Sequence, residues 1–222
     1  MKIGLLDCDS GRGFDAMFAN WLQADWTIYD LQQGQAPQDL AECDAYIATG
    51  SKASVYDDKP WIHDFAELTR KIHASQKPFL GVCFGHQMMG HALGGRVAKS
   101  PNGWGIGVHQ FTIHGTAEWM DPPASQINLL MSCQDQVLDL PPGSKVIAGN
   151  EHCPVGIFQI GNMLGIQGHP EFTPAYAEAL LKLRRESIGA EKVDQALASL
   201  THPLDGPLFA LWAEAFLARS ST

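Results

Sequence analysis

Short apolar runs and longer amphipathic segments alternate along the first 95 residues of the chain. Four runs have the length and composition of buried β-strands: residues 2–6, 26–31, 45–48 and 78–82. Apolar side chains recur at helical spacing over residues 14–22 and 61–72, and again beyond residue 83 until Gly94-Gly95 supplies a stop. This alternation predicts an α/β fold, in which helices cover both faces of a parallel sheet. Such sheets carry their functional groups beyond the carboxyl ends of the strands.

The pattern changes between residues 96 and 168, where strand-like runs follow one another and no helical stripe separates them. These runs are residues 108–114, 127–131, 145–148, 155–160 and 163–167. They predict an antiparallel extension of the same domain. Helical spacing resumes over residues 208–218 and, before that, over residues 173–188, with Tyr176, Leu180, Leu183 and Arg184. We therefore expect residues 1–222 to form a single domain.

Composition and charge narrow the classes of function. The chain has 222 residues, of which 45% are hydrophobic, and its net charge is −9. Because no basic run is present, nucleic-acid binding is not expected. The first apolar run is too short for the apolar region of a signal peptide, and no stretch approaches the length of a membrane span, so we expect no membrane partner.

Five cysteines, an odd number without paired spacing, indicate reduced thiols rather than a disulfide scaffold. This favours a cytoplasmic location. Four of the five also lack the spacing of metal ligands: Cys8, Cys43, Cys133 and Cys153. We expect neither a metal nor a cofactor.

The fifth cysteine, Cys83, lies where a buried strand meets a helix. Gly81 and Gly85 flank it, which allows a sharp and crowded turn. Gly-x-nucleophile-x-Gly at such a junction is the pattern of a nucleophile elbow. The helix N-terminus favours a thiolate over a thiol, so Cys83 is a candidate nucleophile. The alternative is that Cys83 is a small buried apolar residue.

A cysteine nucleophile needs a base, and the base needs an orienting partner. Among nine histidines, His169 is the best placed, because it also follows a short apolar strand. Pro170 favours an extended backbone at His169, so His169 and Glu171 can share one side of the chain. The alternative for His169 is an ordinary surface histidine.

Acyl transfer also needs donors for a tetrahedral oxyanion. The N–H of Phe84 follows the nucleophile directly and is one candidate. The N–H of Gly50 is the second, since glycine lets a backbone approach a reacting carbonyl closely. On composition alone, Thr49-Gly50-Ser51 is better interpreted as a plain strand-to-helix turn.

These motifs together resemble the class I, triad-type glutamine amidotransferase family over about residues 40 to 185. The resemblance rests on Gly81-Val82-Cys83-Phe84-Gly85-His86-Gln87 and on His169-Pro170-Glu171, 86 residues after the cysteine. It implies a flavodoxin-like three-layer α/β sandwich, whose central sheet is mostly parallel with an antiparallel extension. It also implies that Cys83 is the nucleophile, His169 the base and Glu171 the orienting acid. By the same resemblance Gln87 contacts the glutamyl end of the substrate, and Gly50 belongs to the oxyanion loop.

The segment 131–137 is similar to the family's Ser-His-x-Asp-x-Val segment, whose backbone holds the α-amino and α-carboxyl groups of the substrate. The resemblance thus implies substrate contacts from Ser132, Cys133 and Gln134. The chain departs from the family at three positions. Thr49 and Ser51 replace a glycine and a proline of the oxyanion loop, and Cys133 replaces the histidine.

Members of this family hydrolyse glutamine and pass ammonia to an ATP-dependent synthase domain. This chain has no room for such a domain, and it contains no P-loop motif. The resemblance therefore implies a γ-glutamyl substrate and either a synthetase partner chain or a free-standing hydrolase. Two groups of proteins resemble a free-standing hydrolase of this kind. They are the stand-alone relatives of the GMP synthase glutaminase domain and the plant γ-glutamyl peptidases.

Three further alternatives remain open. The chain could bind glutamine without hydrolysing it, or it could be a glutaminase subunit that is inactive without its partner. A homodimer is compatible with either alternative. Cysteine-elbow proteins of the intracellular-protease and chaperone type are also related. They place an acid before the elbow, whereas this chain has Gln87 after it and His169-Pro170-Glu171 further on.

Overall fold

A computed structural model describes residues 1–219. Within this range the strands are β1 (Lys2–Asp7), β2 (Asp25–Asp30), β3 (Ala45–Ala48), β4 (Phe79–Val82), β5 (Arg96–Lys99), β6 (Gly105–Ile113), β7 (Gln126–Cys133), β8 (Asp135–Asp139), β9 (Lys145–Gly149), β10 (Ile157–Ile160) and β11 (Met163–Ile166). The helices are α1 (Phe14–Trp21), α2 (Pro60–Ala74), α3 (Phe84–Ala92), α4 (Pro174–Leu183), α5 (Arg185–Ile188), α6 (Ala190–Ser199) and α7 (Gly206–Leu217). Short 3₁₀ turns at Leu31–Gln33 and Leu40–Glu42 link β2 to β3.

Nine strands form one sheet in the order β2-β1-β3-β4-β11-β10-β9-β6-β7. The pairs from β2 to β11 are parallel, and the pairs from β11 to β7 are antiparallel. The predicted fold class, an α/β sandwich with an antiparallel extension, is therefore confirmed. Within the described residues, strands β5 and β8 pair only with each other, outside the main sheet.

Two hydrophobic cores lie on opposite faces of the main sheet. In strand β3, Ala45 and Ile47 face one core, and Tyr46 and Ala48 face the other. Helices α1, α4 and α7 pack into the first core, and helices α2 and α3 pack into the second. Successive side chains of a strand point to opposite faces, and both faces of the sheet are covered. A short strand such as β3 is therefore apolar at every position.

The register of the sheet brings two distant segments to one edge. Val82 at the end of β4 pairs with Ile166 at the end of β11, and the two strands are parallel. The residues after each strand therefore leave the sheet side by side. Cys83 follows one strand, and the segment leading to His169 follows the other.

Four elements differ from the sequence-based expectation. Strands β5 and β8 were not anticipated, because both are short and keep a charged residue at each end. Helix α6 was missed as well, since only Val193 and Ala196 among its residues are buried. The helix expected over residues 173–188 is divided at Arg184 into α4 and α5. Leu183 has an exposed fraction of 77%, so it does not belong to the buried stripe. In the described part of the chain, no helix combines the length and apolar character needed to cross a bilayer.

Candidate active site

Cys83 occupies a strained backbone position at the junction of β4 and α3. Its φ of 51° and ψ of −97° place it among the conformations that side chains other than glycine rarely adopt. Its amide donates to the carbonyl of Ile166 at 2.8 Å, and its carbonyl accepts from the amide of Gln87 at 3.0 Å. These two hydrogen bonds hold Cys83 in its strained conformation, as is common at functional turns.

The two glycines beside Cys83 are required by space rather than by their φ angles. A Cβ atom on Gly81 would lie 2.5 Å from the carbonyl carbon of Gly85. A Cβ atom on Gly85 would lie 2.8 Å from the Cβ of Ala48. The turn after β4 is therefore packed against its own helix and against β3, as expected for a crowded elbow.

His169 is fixed by three neighbours on three sides. Its amide donates to the carbonyl of Leu130 at 2.7 Å, and its ring stacks on Phe172 with 3.9 Å between centroids. Its Nδ1 lies 2.7 Å from Oε1 of Glu171, whose side chain is fully buried. With the Nδ1 proton donated to this carboxylate, Nε2 is the ring nitrogen available to Cys83.

Gly50 lies against both Cys83 and His169. A Cβ atom on this residue would stand 3.0 Å from Cε1 of His169 and 3.7 Å from the Cβ of Cys83. The amide of Phe84 begins helix α3, where backbone donors have no acceptor within the helix. Five residues predicted from the sequence thus meet at one edge of the sheet: Gly50, Cys83, Phe84, His169 and Glu171.

The surroundings of Cys83 favour its ionised form. A hydrogen bond from the Cys133 side chain is the largest influence holding the pKa of Cys83 well below its usual value, against the opposing effect of burial. The charges of His169 and Arg184 act in the same direction. Burial lowers the pKa of His169, but Glu171 and Cys83 outweigh it and raise that pKa to about 10. Both shifts favour a thiolate on Cys83 and an imidazolium on His169.

A cavity of about 180 Å³ opens beside Cys83, and the four residues predicted to contact substrate line it. These are Gln87, Ser132, Cys133 and Gln134. Gln87 also has a structural contact, because its Nε2 donates to the carbonyl of Asp135 at 2.7 Å and to Oε1 of Gln167 at 3.1 Å. The cavity is smaller than the 300–1,000 Å³ or so of drug-sized sites, so it suits a single amino-acid group.

Two residues of this cavity were not anticipated as site residues. The carboxylate of Asp135 accepts hydrogen bonds from the hydroxyls of Ser54, at 2.5 Å, and Tyr56, at 2.9 Å. Arg184 donates from Nη1 to the hydroxyl of Ser132 at 2.9 Å and stands 5.9 Å from the ring centroid of Trp104. Within residues 1–219 no carboxylate forms an ion pair with Arg184.

The family model for class I glutamine amidotransferases matches residues 20–184. Gamma-glutamyl peptidase 3 of Arabidopsis thaliana is 32% identical over 157 residues, which are 66% of this chain and 63% of that protein. A glutamine amidotransferase-like protein of Schizosaccharomyces pombe is 30% identical over 81% of this chain and 74% of its own length. A GMP synthase of Porphyromonas gingivalis is 30% identical over 73% of this chain but only 36% of its own length. The chain thus spans less than two thirds of the γ-glutamyl peptidases that it matches.

Solved structures show the same fold. A glutamine amidotransferase of Thermotoga maritima superposes with a TM-score of 0.82 at 18% identity, over 98% of both chains. A glutamine amidotransferase of Methylobacillus flagellatus gives a TM-score of 0.77 at 22% identity, over 98% of this chain and 92% of the other. At these identities the structural likeness supports the architecture alone.

Proposed function

The chain belongs to the class I glutamine amidotransferase family, and from that premise we propose that it is a cysteine hydrolase of γ-glutamyl amides. Glutamine is the simplest such substrate, and the products are glutamate and ammonia or an amine. The observation that carries the proposal is the arrangement of Cys83 on a strained turn beside His169, whose Nδ1 is hydrogen-bonded to the buried carboxylate of Glu171. A thiolate and an acid on adjacent strand ends are the groups that amide cleavage by a cysteine needs.

In the first step, the Cys83 thiolate attacks the γ-carbonyl carbon, and the carbonyl oxygen takes up the negative charge. The amides of Phe84 and Gly50 are the proposed donors to this oxyanion. As the tetrahedral intermediate collapses, the C–N bond breaks and His169 gives its proton to the leaving nitrogen. A γ-glutamyl thioester on Cys83 remains.

In the second step, a water molecule attacks the thioester. His169 is now neutral and accepts a proton from this water, so hydroxide character develops at the attacking oxygen. The C–S bond breaks, glutamate leaves, and the thiolate–imidazolium pair is restored. Glu171 takes no proton; it orients the ring through Nδ1 and stabilises its charged form.

The glutamyl end would lie in the cavity of about 180 Å³ beside Cys83. Gln87 and the segment Ser132, Cys133 and Gln134 are the proposed contacts there, as the family resemblance implies. Asp135 and Arg184 line the same cavity with opposite charges. A zwitterionic α-amino acid group matches that arrangement, since it carries one ammonium and one carboxylate.

A second candidate is γ-glutamyl peptidase activity, in which the leaving amine belongs to a peptide such as glutathione or to a γ-glutamyl amine. The 32% identity to γ-glutamyl peptidase 3 favours this reading. A third candidate is a glutaminase subunit that passes ammonia to a synthetase chain, which the match to GMP synthase supports. We further propose that residues 1–222 act as one domain in the cytoplasm, alone or as a homodimer.

The test is a glutamate-release screen of the purified chain against glutamine, glutathione and γ-glutamyl amines, with Cys83→Ala as control. Turnover of at least one donor by the wild type, absent from the variant, supports the hydrolase. Preference for γ-glutamyl dipeptides over glutamine favours the peptidase. Activity that appears only with an added synthetase favours the subunit. Equal turnover by Cys83→Ala and wild type contradicts the mechanism.

A further inference from the structure

A loop between strand β3 and helix α2 forms part of the wall of the cavity beside Cys83. We call this loop, residues 51–57, the strap. Residues 51–54 line the cavity, together with Asp135 from the start of strand β8. Val55 is buried in the core on the side of helices α2 and α3, so the strap is anchored near its middle.

The strap holds the carboxylate of Asp135 by both of its oxygens. The hydroxyl of Ser54 donates to Oδ2 at 2.5 Å, and the hydroxyl of Tyr56 donates to Oδ1 at 2.9 Å. The backbone of Asp135 is held as well, because its carbonyl accepts from Nε2 of Gln87 at 2.7 Å. The position and the direction of this carboxylate are therefore fixed before any ligand arrives.

The strap is itself closed by a short turn. The amide of Asp57 donates to the carbonyl of Ser54 at 2.9 Å, and the amide of Ser54 donates to Oδ2 of Asp57 at 3.3 Å. Val55, between the two hydroxyl residues, is 1% exposed. The turn and the buried valine thus keep the hydroxyls of Ser54 and Tyr56 at one carboxylate about 80 residues further along the chain.

The charges around the cavity make Asp135 distinctive. In the described part of the chain it is the one acidic residue that lines the cavity, where the cationic residues are Lys52, Lys99 and Arg184. Within residues 1–219 no cation forms an ion pair with Asp135. A carboxylate has about four acceptor positions, so two hydroxyl donors leave capacity for a further donor. An ammonium group is the donor that such an unpaired charge favours most.

We propose that Ser54 and Tyr56 are positioning residues, which hold the Asp135 carboxylate as the acceptor for the α-ammonium group of the substrate. The inference rests on the proposed function and narrows its substrates to γ-glutamyl donors with a free α-amino group. No proton is transferred in this contact. Ser54 and Tyr56 act through Asp135, and the N–H bonds of the ammonium group meet the carboxylate.

The experiment measures binding to Cys83→Ala, which has no nucleophile and leaves its ligands intact. The two ligands are glutamine and glutaramate, which is glutamine without its α-amino group. By isothermal titration calorimetry, glutamine should bind at least about tenfold more tightly, the equivalent of one charged hydrogen bond. In Cys83→Ala, the further change Asp135→Asn should bring the two Kd values together. Tyr56→Phe and Ser54→Ala should each reduce the preference about threefold, and their combination should remove most of it.

The chain offers a matched control for each hydroxyl. Tyr29 donates to Oε2 of Glu42 at 2.7 Å, and Ser10 donates to Oδ1 of Asp30 at 2.6 Å, and none of these residues lines the cavity. Tyr29→Phe and Ser10→Ala therefore remove the same kinds of bond elsewhere and should keep the full preference for glutamine.

The conservative variant separates positioning from a structural role. Ser54→Thr retains the hydroxyl and should keep the preference that Ser54→Ala loses. A merely structural role of the strap would weaken glutamine and glutaramate equally, and that result overturns the proposal. An unchanged preference in the combined variant Ser54→Ala and Tyr56→Phe overturns it too. If Asp135→Asn does not fold by circular dichroism, this combined variant decides the test.

The outcome is separable from that of the proposed function. A preference that depends on the strap, in a chain whose wild type releases no glutamate from any donor, supports this inference and contradicts the hydrolase. Where turnover is found, Tyr56→Phe should raise KM for glutamine about threefold and change kcat less. Equal kcat/KM of the wild type for glutamine and glutaramate supports the hydrolase but overturns the role of the strap, as does undetectable binding of glutamine by Cys83→Ala.

Discussion

The backbone amide of Cys83 donates a 2.8 Å hydrogen bond to the carbonyl of Ile166, which ties the elbow to the strand that leads to His169. Because this bond and the packing of Gly81 and Gly85 fix the turn, Cys83 is held at a φ of 51°. The backbone position of the nucleophile is thus set by the sheet and by the packing of the turn. Strain of this kind costs about 1–3 kcal/mol.

The strain predicts a difference between two inactive variants. Cys83→Gly and Cys83→Ala should both abolish glutamate release, since neither has a thiol. Glycine adopts positive φ without a Cβ penalty, so Cys83→Gly should be more stable than Cys83→Ala by about 1 kcal/mol. Urea denaturation of the two variants measures this difference. Equal midpoints would mean that the turn relaxes in solution.

The Glu171 carboxylate predicts a pH effect on the alkaline side. The pKa of His169 is raised to about 10, with Glu171 the leading influence against burial. The imidazolium that protonates the leaving nitrogen is therefore present below about pH 10 and is lost as the pH rises through that value. In Glu171→Gln the neutral amide no longer supports the charge, so the alkaline limb of kcat/KM should move to lower pH. We expect kcat to fall by about 10²- to 10⁴-fold with some activity remaining.

The measurement is a set of kcat/KM profiles for glutamine from pH 6 to 11, with Glu178→Gln as the matched control. Glu178 lies on the exposed face of helix α4 and pairs with Lys182. Its substitution should leave the profile in place. A Glu171→Gln profile that falls in height without any movement of its alkaline limb would contradict the assignment of His169.

The candidate site could be predicted from sequence where its geometry is local. The strand, glycines and helix around Cys83 lie within a few residues of one another, so their pattern alone predicts a turn. His169 is 86 residues away, yet it too follows a buried strand, and parallel strands end at one edge. Placing the two side by side required only the order of the strands.

Arg184 and Asp135 could not be found in this way. Arg184 has helical spacing with the buried Leu180, and that pattern favours a place on the apolar face. Instead α4 ends at Leu183, and Arg184 turns to Ser132 on β7, an arrangement set by contacts between elements distant in sequence. Asp135 begins β8, a strand too short and too polar for its periodicity to be recognised.

Substitution of Gln87 should affect stability as well as substrate binding. Its Nε2 donates to the carbonyl of Asp135 and to Oε1 of Gln167. In Gln87→Glu a carboxylate would face these two oxygens, and a buried acceptor without a donor costs about 1–3 kcal/mol. The free energy of unfolding should fall by that amount. Gln110→Glu, at an exposed position on β6, is the matched control and should change stability little.

Arg184 predicts an effect on substrate affinity. It is half-buried at the mouth of the cavity, and within residues 1–219 its side chain donates hydrogen bonds only to Ser132. Every γ-glutamyl donor carries an α-carboxylate, so an unpaired guanidinium at this place is the expected partner for that charge. Arg184→Met should raise KM for glutamine about tenfold, the equivalent of one charged hydrogen bond, and should change kcat less. Arg184→Lys keeps the charge but lacks the planar guanidinium, so its KM should lie between those of the wild type and Arg184→Met.

The neighbouring Arg185 supplies the control. It is bonded to both carboxylate oxygens of Asp194 on the surface, so Arg185→Met removes an arginine one position away without reaching the cavity. Its KM for glutamine should equal that of the wild type. The charge of Arg184 also favours the ionised form of Cys83, so the acid limb of kcat/KM should move upward in Arg184→Met and stay in place in Arg185→Met. A fall in kcat with KM unchanged would remove Arg184 from substrate binding and leave it only this electrostatic effect on the nucleophile.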